Sequence, residues 1–329
     1  INSAACRRTQ GLSAHSKRRY RRPVTDSTDI HAVYGAPPRD VVEAPEGATR
    51  FSPYLPGSPD FAAVLPDSLA SATLLAPPAT AERRHVLALA LRALKPGGRL
   101  VAVAPKDKGG SRLRKELEAF GCAVNEEGRR HHRICTVRRP EAPAGLDEAI
   151  AQGAPRLDAG LGLWTQPGVF SWDRIDPGSA LLIAHLPPLA GKGADLGAGI
   201  GLLAHAVLAT ARVEHLTLID LDGRAVEAAK RNVADPRADI RWADVRSTGI
   251  TPASLDFVVM NPPFHDAGTE DKQLGQTFIR QAAALLRKGG TLWLVANRHL
   301  PYEALLTELF RTVTPRADQG GFKVIEAVK

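Results

Sequence analysis

The chain has 329 residues, of which 44% are hydrophobic, and this length predicts two domains. No hydrophobic run approaches the length of a membrane span, and the three cysteines show neither a disulfide framework nor zinc-ligand spacing, so we expect no metal. The formal net charge of +8 comes mostly from residues 1–23, which contain seven basic residues and no acidic one; subtracting those seven leaves +1.

Residues 1–23 have two interpretations. The basic residues suit an arm that binds nucleic acid. In the other interpretation Val24 is a misread start codon, because Met260 is the only methionine of the chain. Residues 1–23 would then be translated upstream sequence that is disordered and has no function. We expect the second interpretation to hold.

Residues 24–145 predict a first α/β unit. A hydrophobic segment runs into a Pro-Pro pair, and a helix, a Gly-Gly turn and a buried strand follow. A stretch rich in Pro, Ala and Gly then predicts a linker over residues 146–160. Residues 161–329 form the second predicted unit, which carries the motifs with chemical meaning.

The second unit opens with an irregular segment or short hairpin, residues 166–171, with the sequence Gln-Pro-Gly-Val-Phe-Ser. Phe170 in this lead-in either covers a cofactor or packs in the core. Asp176 and Pro177 come next and predict the cap and the first position of a helix.

A strand, a glycine turn and a helix are predicted between residues 191 and 208. The turn runs from Asp195 through Gly197 and Gly199 to Gly201. Glycines let the backbone approach a ligand closely, and the helix N-terminus offers free N–H groups. A dinucleotide enzyme would have a similar turn, but its glycine spacing is longer than the Gly-x-Gly-x-Gly of this chain.

Acidic residues follow the next two predicted strands. Asp220 closes one strand about twenty residues after the glycine turn, where a carboxylate accepts both ribose hydroxyls of a nucleoside. Asp244 follows the other strand and is placed to accept from an adenine amino group. Together with the glycine turn, these two residues favour S-adenosylmethionine as the cofactor.

The fourth strand of this unit ends in the tetrad Asn261-Pro262-Pro263-Phe264. Ligands of open α/β sheets bind beyond the carboxyl ends of the strands, so the tetrad and the glycine turn face one crevice. The Asn261 oxygen and the Pro262 carbonyl can accept from an exocyclic amino group, while Phe264 stacks on the base. Such a tetrad can also be a simple strand-terminating turn, but its place after the fourth strand favours methylation of a planar amino nitrogen.

The two predicted units share a pattern. The Gly97-Gly98 turn matches Gly289-Gly290, and Pro77-Pro78 matches Pro262-Pro263, with offsets of 192 and 185 residues. Ala76 stands where the second unit has Asn261. The first unit also lacks a glycine turn, so we expect a degenerate copy, although helix, Gly-Gly turn and strand also recur by coincidence.

These motifs resemble those of the bacterial ribosomal RNA guanine-N2 methyltransferases that act on the small subunit, whose close relatives act on the large subunit. The matching segments are residues 167–171, 195–201, 261–265, 295–297, 300–302 and 321–324. The resemblance covers residues 24–329 and is strongest from residue 165 onward. It implies that Asp195, Gly197, Gly199, Asp220 and Asp244 bind the methyl donor, and that Asn261, Pro262 and Phe264 hold the base.

We therefore expect an α/β protein with two Rossmann-like class I methyltransferase domains in tandem, the first degenerate and the second catalytic. The first domain would dock substrate or stabilise the second. The expected reaction is methylation of the N2 of a guanine in 16S ribosomal RNA by a monomeric cytoplasmic enzyme. A large-subunit enzyme, a protein-glutamine or adenine-N6 methyltransferase, and a non-enzymatic RNA-binding assembly protein remain alternatives.

Two groups of basic residues are candidates for contacts with RNA phosphates, and each can also be a solvated face. The first is Lys106, Lys108, Arg112, Arg114 and Lys115; the second is Arg129, Arg130, Arg133, Arg138 and Arg139.

Overall fold

A computed structural model describes residues 29–263, 265–266, 269–270 and 272–329. The basic segment 1–23 and Phe264 therefore lie outside the described residues. Within the described part of the chain, no helix is long and apolar enough to cross a membrane.

The N-terminal half folds around a six-stranded sheet with the strand order β2-β1-β3-β4-β6-β5. The first four strands pair in parallel, and β6 and β5 close the sheet in antiparallel pairing. Its elements are β1 (Ile30–Tyr34), β2 (Thr49–Phe51), β3 (Leu69–Leu75), α1 (Thr80–Ala93), β4 (Leu94–Pro105), α2 (Ser111–Ala119), β5 (Asn125–Arg129), β6 (His132–Arg138) and α3 (Leu146–Gly153).

The C-terminal half begins with a two-stranded ribbon of β7 (Arg156–Asp158) and β8 (Leu163–Thr165). A seven-stranded sheet follows, in the order β11-β10-β9-β12-β15-β17-β16. The remaining elements are α4 (Pro177–His185), β9 (Gly191–Leu196), α5 (Leu202–Leu208), β10 (Val213–Asp220), α6 (Gly223–Asn232), β11 (Ala238–Trp242), β12 (Leu255–Met260), β13 (His265–Asp266), β14 (Thr269–Glu270), α7 (Lys272–Leu285), β15 (Leu286–Asn297), α8 (Glu303–Leu309), β16 (Thr312–Gln319) and β17 (Phe322–Val328).

Strand β12 is buried on both faces, which explains its continuous hydrophobic run. Val258 and Met260 pack into the core that α7 and α8 cover. Phe257 and Val259 point to the opposite face and pack into the core beneath α4 and α5. This alternation follows from the two-residue period of a strand. It leaves Asn261 at the carboxyl end of a strand that is fixed from both sides.

The two halves have the same strand order when β11 is left out. They also share one irregularity of pairing. Leu69 pairs with Leu94 and Ser71 with Arg99, while Leu255 pairs with Leu286 and Phe257 with Thr291. In each half, the Gly-Gly turn therefore lies in the longer strand, β4 or β15, at the point where the pairing with the neighbouring strand shifts. This shared detail supports the interpretation that the halves arose by duplication.

The segment expected to be a linker, residues 146–160, contains helix α3. Ala149 of this helix is buried in the N-terminal core, and Leu146 and Ile150 pack against the same core. Composition misled the prediction because alanine was counted with proline and glycine, although alanine favours helices most strongly. The chain thus stays packed on α1 until β7 begins.

Candidate donor and acceptor site

The register of the central strands places the predicted motifs side by side. Leu196 at the end of β9 pairs with Ile219 of β10 on one side and with Met260 of β12 on the other. Because all three strands are parallel, the glycine turn lies between Asp220 and Asn261 at one edge of the sheet. The structure therefore brings the donor motif and the Asn-Pro-Pro motif together, as the strand order of the sequence predicts.

The glycine turn runs from β9 into α5 with three glycines at positive φ. Gly197 has φ +76°, Gly199 +55° and Gly201 +87°. A Cβ atom on Gly199 would meet no heavy atom within 4 Å, so this position borders open space. A Cβ on Gly201 would lie 2.6 Å from Val233, so here glycine permits close packing of the turn on α6. Gly199 is thus the position where a ligand can approach the backbone.

Asp220 is held by the backbone around it. Its Oδ2 accepts from the Gly199 N–H at 2.7 Å, and its Oδ1 accepts from the Asp222 N–H at 2.8 Å. Burial raises the pKa of Asp220 to about 6, although these N–H groups pull it down. Each carboxylate oxygen keeps a lone pair for a further donor. A pair of vicinal hydroxyls is a ligand group that fits these remaining acceptor sites.

Asp195, which is predicted to bind the methyl donor, has a fully buried side chain. Its side chain has no exposed surface, and neither carboxylate oxygen has a hydrogen-bond partner among the described residues. Burial, reinforced by the charge of Asp220, raises the pKa of Asp195 to about 8. An unpartnered buried carboxyl beside a glycine turn fits a site that a cationic or hydrogen-bond-donating ligand completes.

Asp244 is placed differently from the other acidic residues. Its carboxylate caps the short 3₁₀ turn Val245–Ser247 by accepting from the Arg246 N–H at 2.8 Å. Its side chain also pairs with the exposed Arg246 guanidinium, and this bond holds the pKa of Asp244 below its usual range. Asp244 lies beyond the outermost strand, so it can only contact the far end of a ligand bound at the edge.

A small crevice, partly open to solvent, lies between the lead-in, the glycine turn and the start of α4. Phe170, Gly197, Gly199 and Asn261 line it together. Phe170 is 63% exposed, so it does not pack in the core. Its position over the crevice fits the alternative in which this ring covers a bound ligand.

Asn261 is fixed by two acceptors at the start of α4. Its Nδ2 donates to Asp176 Oδ2 at 2.8 Å and to Ser179 Oγ at 2.9 Å. Its Oδ1 is buried and has no hydrogen-bond partner within the described part of the chain. The amide oxygen is thus an unsatisfied buried acceptor of a residue that lines the crevice.

Sequence reasoning identified Asp176 only as a helix cap and missed its bond to Asn261. It also missed Arg224, which is nearly buried and connects both halves. Neither residue has a motif that signals its tertiary contacts. Pro262 is buried behind Asn261, and Phe264 lies outside the described residues.

In the N-terminal half, a buried arginine binds the carbonyls of the corresponding turn, Pro77-Pro78. Arg83, whose side chain has no exposed surface, donates to the Pro77 carbonyl at 3.1 Å and to the Pro78 carbonyl at 2.6 Å. Its charge is balanced by Glu116 at 2.7 Å. With Ala76 in place of an asparagine, this turn lacks the amide oxygen of Asn261, and Arg83 already donates to both of its carbonyls.

The second group of basic residues does not form one surface. Arg130 belongs to the β5–β6 hairpin beside Lys106, whose N–H donates to the His131 carbonyl at 2.8 Å. Arg138 lies at the opposite end of β6 and donates to the Gly97 carbonyl. The length of β6 separates Arg138 from Arg130, so the interpretation as one group is wrong.

Comparisons with known proteins match the chain to methyltransferases. A family model described as the methyltransferase small domain matches residues 160–326. The ribosomal RNA small subunit methyltransferase C of Pseudomonas aeruginosa strain LESB58 is 34% identical over 276 residues, which cover 83% of each chain. The protein of the same name from Shewanella loihica is 31% identical over 282 residues, or 84% of this chain and 79% of its own.

A solved structure shares the whole architecture. It is the T. thermophilus 16S rRNA N2 G1207 methyltransferase in complex with AdoMet and guanosine, with a TM-score of 0.74 and 25% identity. The match covers 95% of this chain and 93% of that one, so both halves are included. The chain is therefore a methyltransferase of the α/β class I fold and belongs to the ribosomal RNA small subunit methyltransferase C family.

Proposed function

We propose that the protein transfers the methyl group of S-adenosylmethionine to the exocyclic N2 of a guanine in 16S ribosomal RNA of the small subunit. The observation that carries this proposal is the buried, unpartnered Oδ1 of Asn261 beside the glycine turn. The related enzyme solved with AdoMet and guanosine supports both halves of the reaction. The cytoplasm is the compartment in which a monomer of this kind would meet its substrate.

The donor would lie along the carboxyl edge of the sheet and supply an electrophilic methyl group when bound. Asp220 accepts from the ribose hydroxyls through the lone pairs that Gly199 and Asp222 leave free. Asp195 would satisfy its unpartnered carboxyl group on the bound donor, and Asp244 would reach the adenine end. Phe170 covers the crevice and excludes water from it.

The acceptor amino group is a poor nucleophile, because its lone pair is delocalised into the base. The Asn261 oxygen and the Pro262 carbonyl accept its two hydrogens and so hold the nitrogen lone pair in line with the methyl group. Phe264 stacks on the base and fixes its plane. Alignment and preorganised dipoles therefore provide the rate, without a strong base.

The N-terminal half, in this proposal, is a degenerate copy that stabilises the catalytic half and docks the RNA. Arg224 on α6 ties the two together, since it pairs with Glu82 of α1 at 2.5 Å and donates to the Tyr54 hydroxyl at 3.0 Å. The same guanidinium binds Asp222 and the Gly168 carbonyl of the lead-in. The N-terminal half thus supports the loop that holds Asp220.

RNA phosphates would contact the N-terminal half at the carboxyl end of β4. There the exposed Lys106, Arg112 and Lys115 lie near the β5–β6 hairpin with Arg130. Some arginines here are already paired, Arg133 with Glu126 and Arg130 itself with Asp40, so affinity rests mainly on the exposed lysines and Arg112. The target guanine must leave its stack to reach the crevice, at a cost of roughly a few kcal/mol.

A transfer assay tests the proposed function. We would incubate the protein and labelled S-adenosylmethionine separately with unmethylated small and large ribosomal subunits. Label is expected in the small-subunit RNA, because the relatives are methyltransferases named for the small-subunit ribosomal RNA. Label in the large subunit alone would show that the protein methylates large-subunit RNA instead. Label in neither subunit would contradict the proposal.

Donor affinity should depend on pH through Asp220. The two hydroxyls bind the ionised carboxylate, so a proton competes with the donor below the raised pKa of about 6. We expect the Kd for S-adenosylmethionine to rise about tenfold per pH unit below pH 6. Calorimetry from pH 5 to 8 measures this. The Asp220→Asn variant should bind weakly at every pH, and an unchanged slope in it would assign the titration to another group.

A further inference from the structure

We propose that Asp176 and Ser179 are positioning residues that fix the side-chain amide of Asn261 with its oxygen toward the substrate amino group. This inference rests on the proposed function and adds the reason why Asn261 presents an acceptor rather than a donor. Both residues are at least nine-tenths buried, and both lie in the first turn of α4 against the crevice.

The orientation follows from what each atom can do. A carboxylate only accepts, so the group of Asn261 that faces Asp176 Oδ2 at 2.8 Å must be the NH₂. Ser179 Oγ takes the second hydrogen of the same NH₂ at 2.9 Å. A flipped amide would bring two oxygens together at Asp176 and would point the NH₂ at the substrate amino group. Both contacts disfavour the flipped state, and only the observed state leaves Oδ1 free for the substrate.

Helix capping holds the acceptors in place. Asp176 Oδ2 also accepts from the Ser179 N–H at 2.7 Å, so the oxygen that caps α4 is the oxygen that holds Asn261. Pro177 at the first position restricts the backbone of this turn. The cap itself does not require the Ser179 hydroxyl, whose described hydrogen-bond partner is Asn261. That hydroxyl therefore has a role that helix formation alone does not explain.

The orienting bonds also favour catalysis by their charge. The Asp176 carboxylate polarises the Asn261 amide and increases the negative charge on Oδ1, because hydrogen bonds in a chain strengthen one another. The substrate nitrogen gains positive charge as its lone pair attacks the methyl group. An oxygen fixed and polarised in this way stabilises that charge without reorganisation.

Kinetics of Asp176 and Ser179 variants test the inference. Losing one neutral hydrogen bond in Ser179→Ala should lower kcat about threefold to tenfold. Losing both acceptors in the Asp176→Ala/Ser179→Ala double variant should lower kcat by about 10²-fold, with the Kd for S-adenosylmethionine unchanged. Asp176→Asn keeps an acceptor oxygen at the same place and caps equally well, so it should stay within about fivefold of the wild type.

A double-mutant cycle separates positioning from general destabilisation. If Asp176 and Ser179 act through the amide, the same substitutions in an Asn261→Ala background should change kcat by less than about twofold. Asp60→Ala, which removes the cap of the turn Phe61–Ala63 in the other half, is the matched control and should leave kcat unchanged.

The inference is contradicted if the Asp176→Ala/Ser179→Ala variant keeps the wild-type kcat, or if Asp176→Asn is as slow as Asp176→Ala. It is also contradicted if the Asp176 and Ser179 substitutions lower kcat in the Asn261→Ala background by the same factor as in the wild type. A wild-type protein that binds the donor but methylates no subunit would instead contradict the proposed function. The two failures are therefore distinguishable in one set of assays.

Discussion

Replacing Asn261 by alanine should lower kcat by about 10²-fold or more, while the Kd for S-adenosylmethionine stays within about twofold of the wild type. In the proposed site the side chain would supply an acceptor for the substrate amino group, and it makes no described hydrogen bond to Asp195 or Asp220. Its loss therefore removes transition-state stabilisation and leaves donor binding intact. Single-turnover methylation and calorimetry measure the two quantities.

A matched control for this prediction is Asn125→Ala, since Asn125 is an exposed asparagine of β5 in the N-terminal sheet and does not line the crevice. This variant should keep the wild-type kcat. An Asn261→Ala protein with an unchanged kcat would remove Asn261 from the reaction. A protein with a greatly weakened donor affinity would show that the side chain serves the donor instead.

Removing Glu82 should destabilise the whole protein, although it belongs to the half without the donor site. The side chains of Glu82 and Arg224 are only 10% and 13% exposed, so Glu82→Ala leaves a buried guanidinium short of one partner. Arg224 keeps its ion pair with Asp222, so the cost is that of one lost buried partner, about 1–3 kcal/mol. We expect a decrease of this size in the free energy of unfolding, measured by denaturant titration.

The same helix offers the control. Lys230 and Glu227 of α6 form a pair that is 50% and 64% exposed, and Lys230→Ala should cost at most about 1 kcal/mol. If Glu82→Ala is no more destabilising than Lys230→Ala, the two halves do not depend on each other through this contact.

Much of the catalytic half follows from local sequence. The helix Leu202–Leu208 is where the sequence predicts it, and Asp222 caps α6 through its bond to the Arg224 N–H. Glycine positions and strand ends are local signals, and parallel pairing then brings them to one edge. The positions of Asp195, Gly199, Asp220 and Asn261 relative to one another were therefore predictable, while their roles toward the donor and the base remain proposals.

Contacts that depend on tertiary packing were not predictable. Arg83 and Arg224 look like ordinary helix-surface arginines in sequence, yet each is buried against residues more than thirty positions away. The bond between Asp176 and Asn261 spans 85 positions, and no periodicity signals it. Alanine in residues 146–160 was weighed with helix breakers, so α3 was missed. Such contacts require the fold to be known before they can be identified.

The most direct measurement is the chemical identity of the product nucleoside. Unmethylated small subunits would be treated with the protein and labelled S-adenosylmethionine, and their RNA would be digested to nucleosides for chromatography and mass spectrometry. We expect the label in N2-methylguanosine, because in the proposed site the Asn261 oxygen and the Pro262 carbonyl would accept from an exocyclic amino group. Label in a ring-nitrogen or ribose-methylated nucleoside, or in protein, would contradict the assignment of the site.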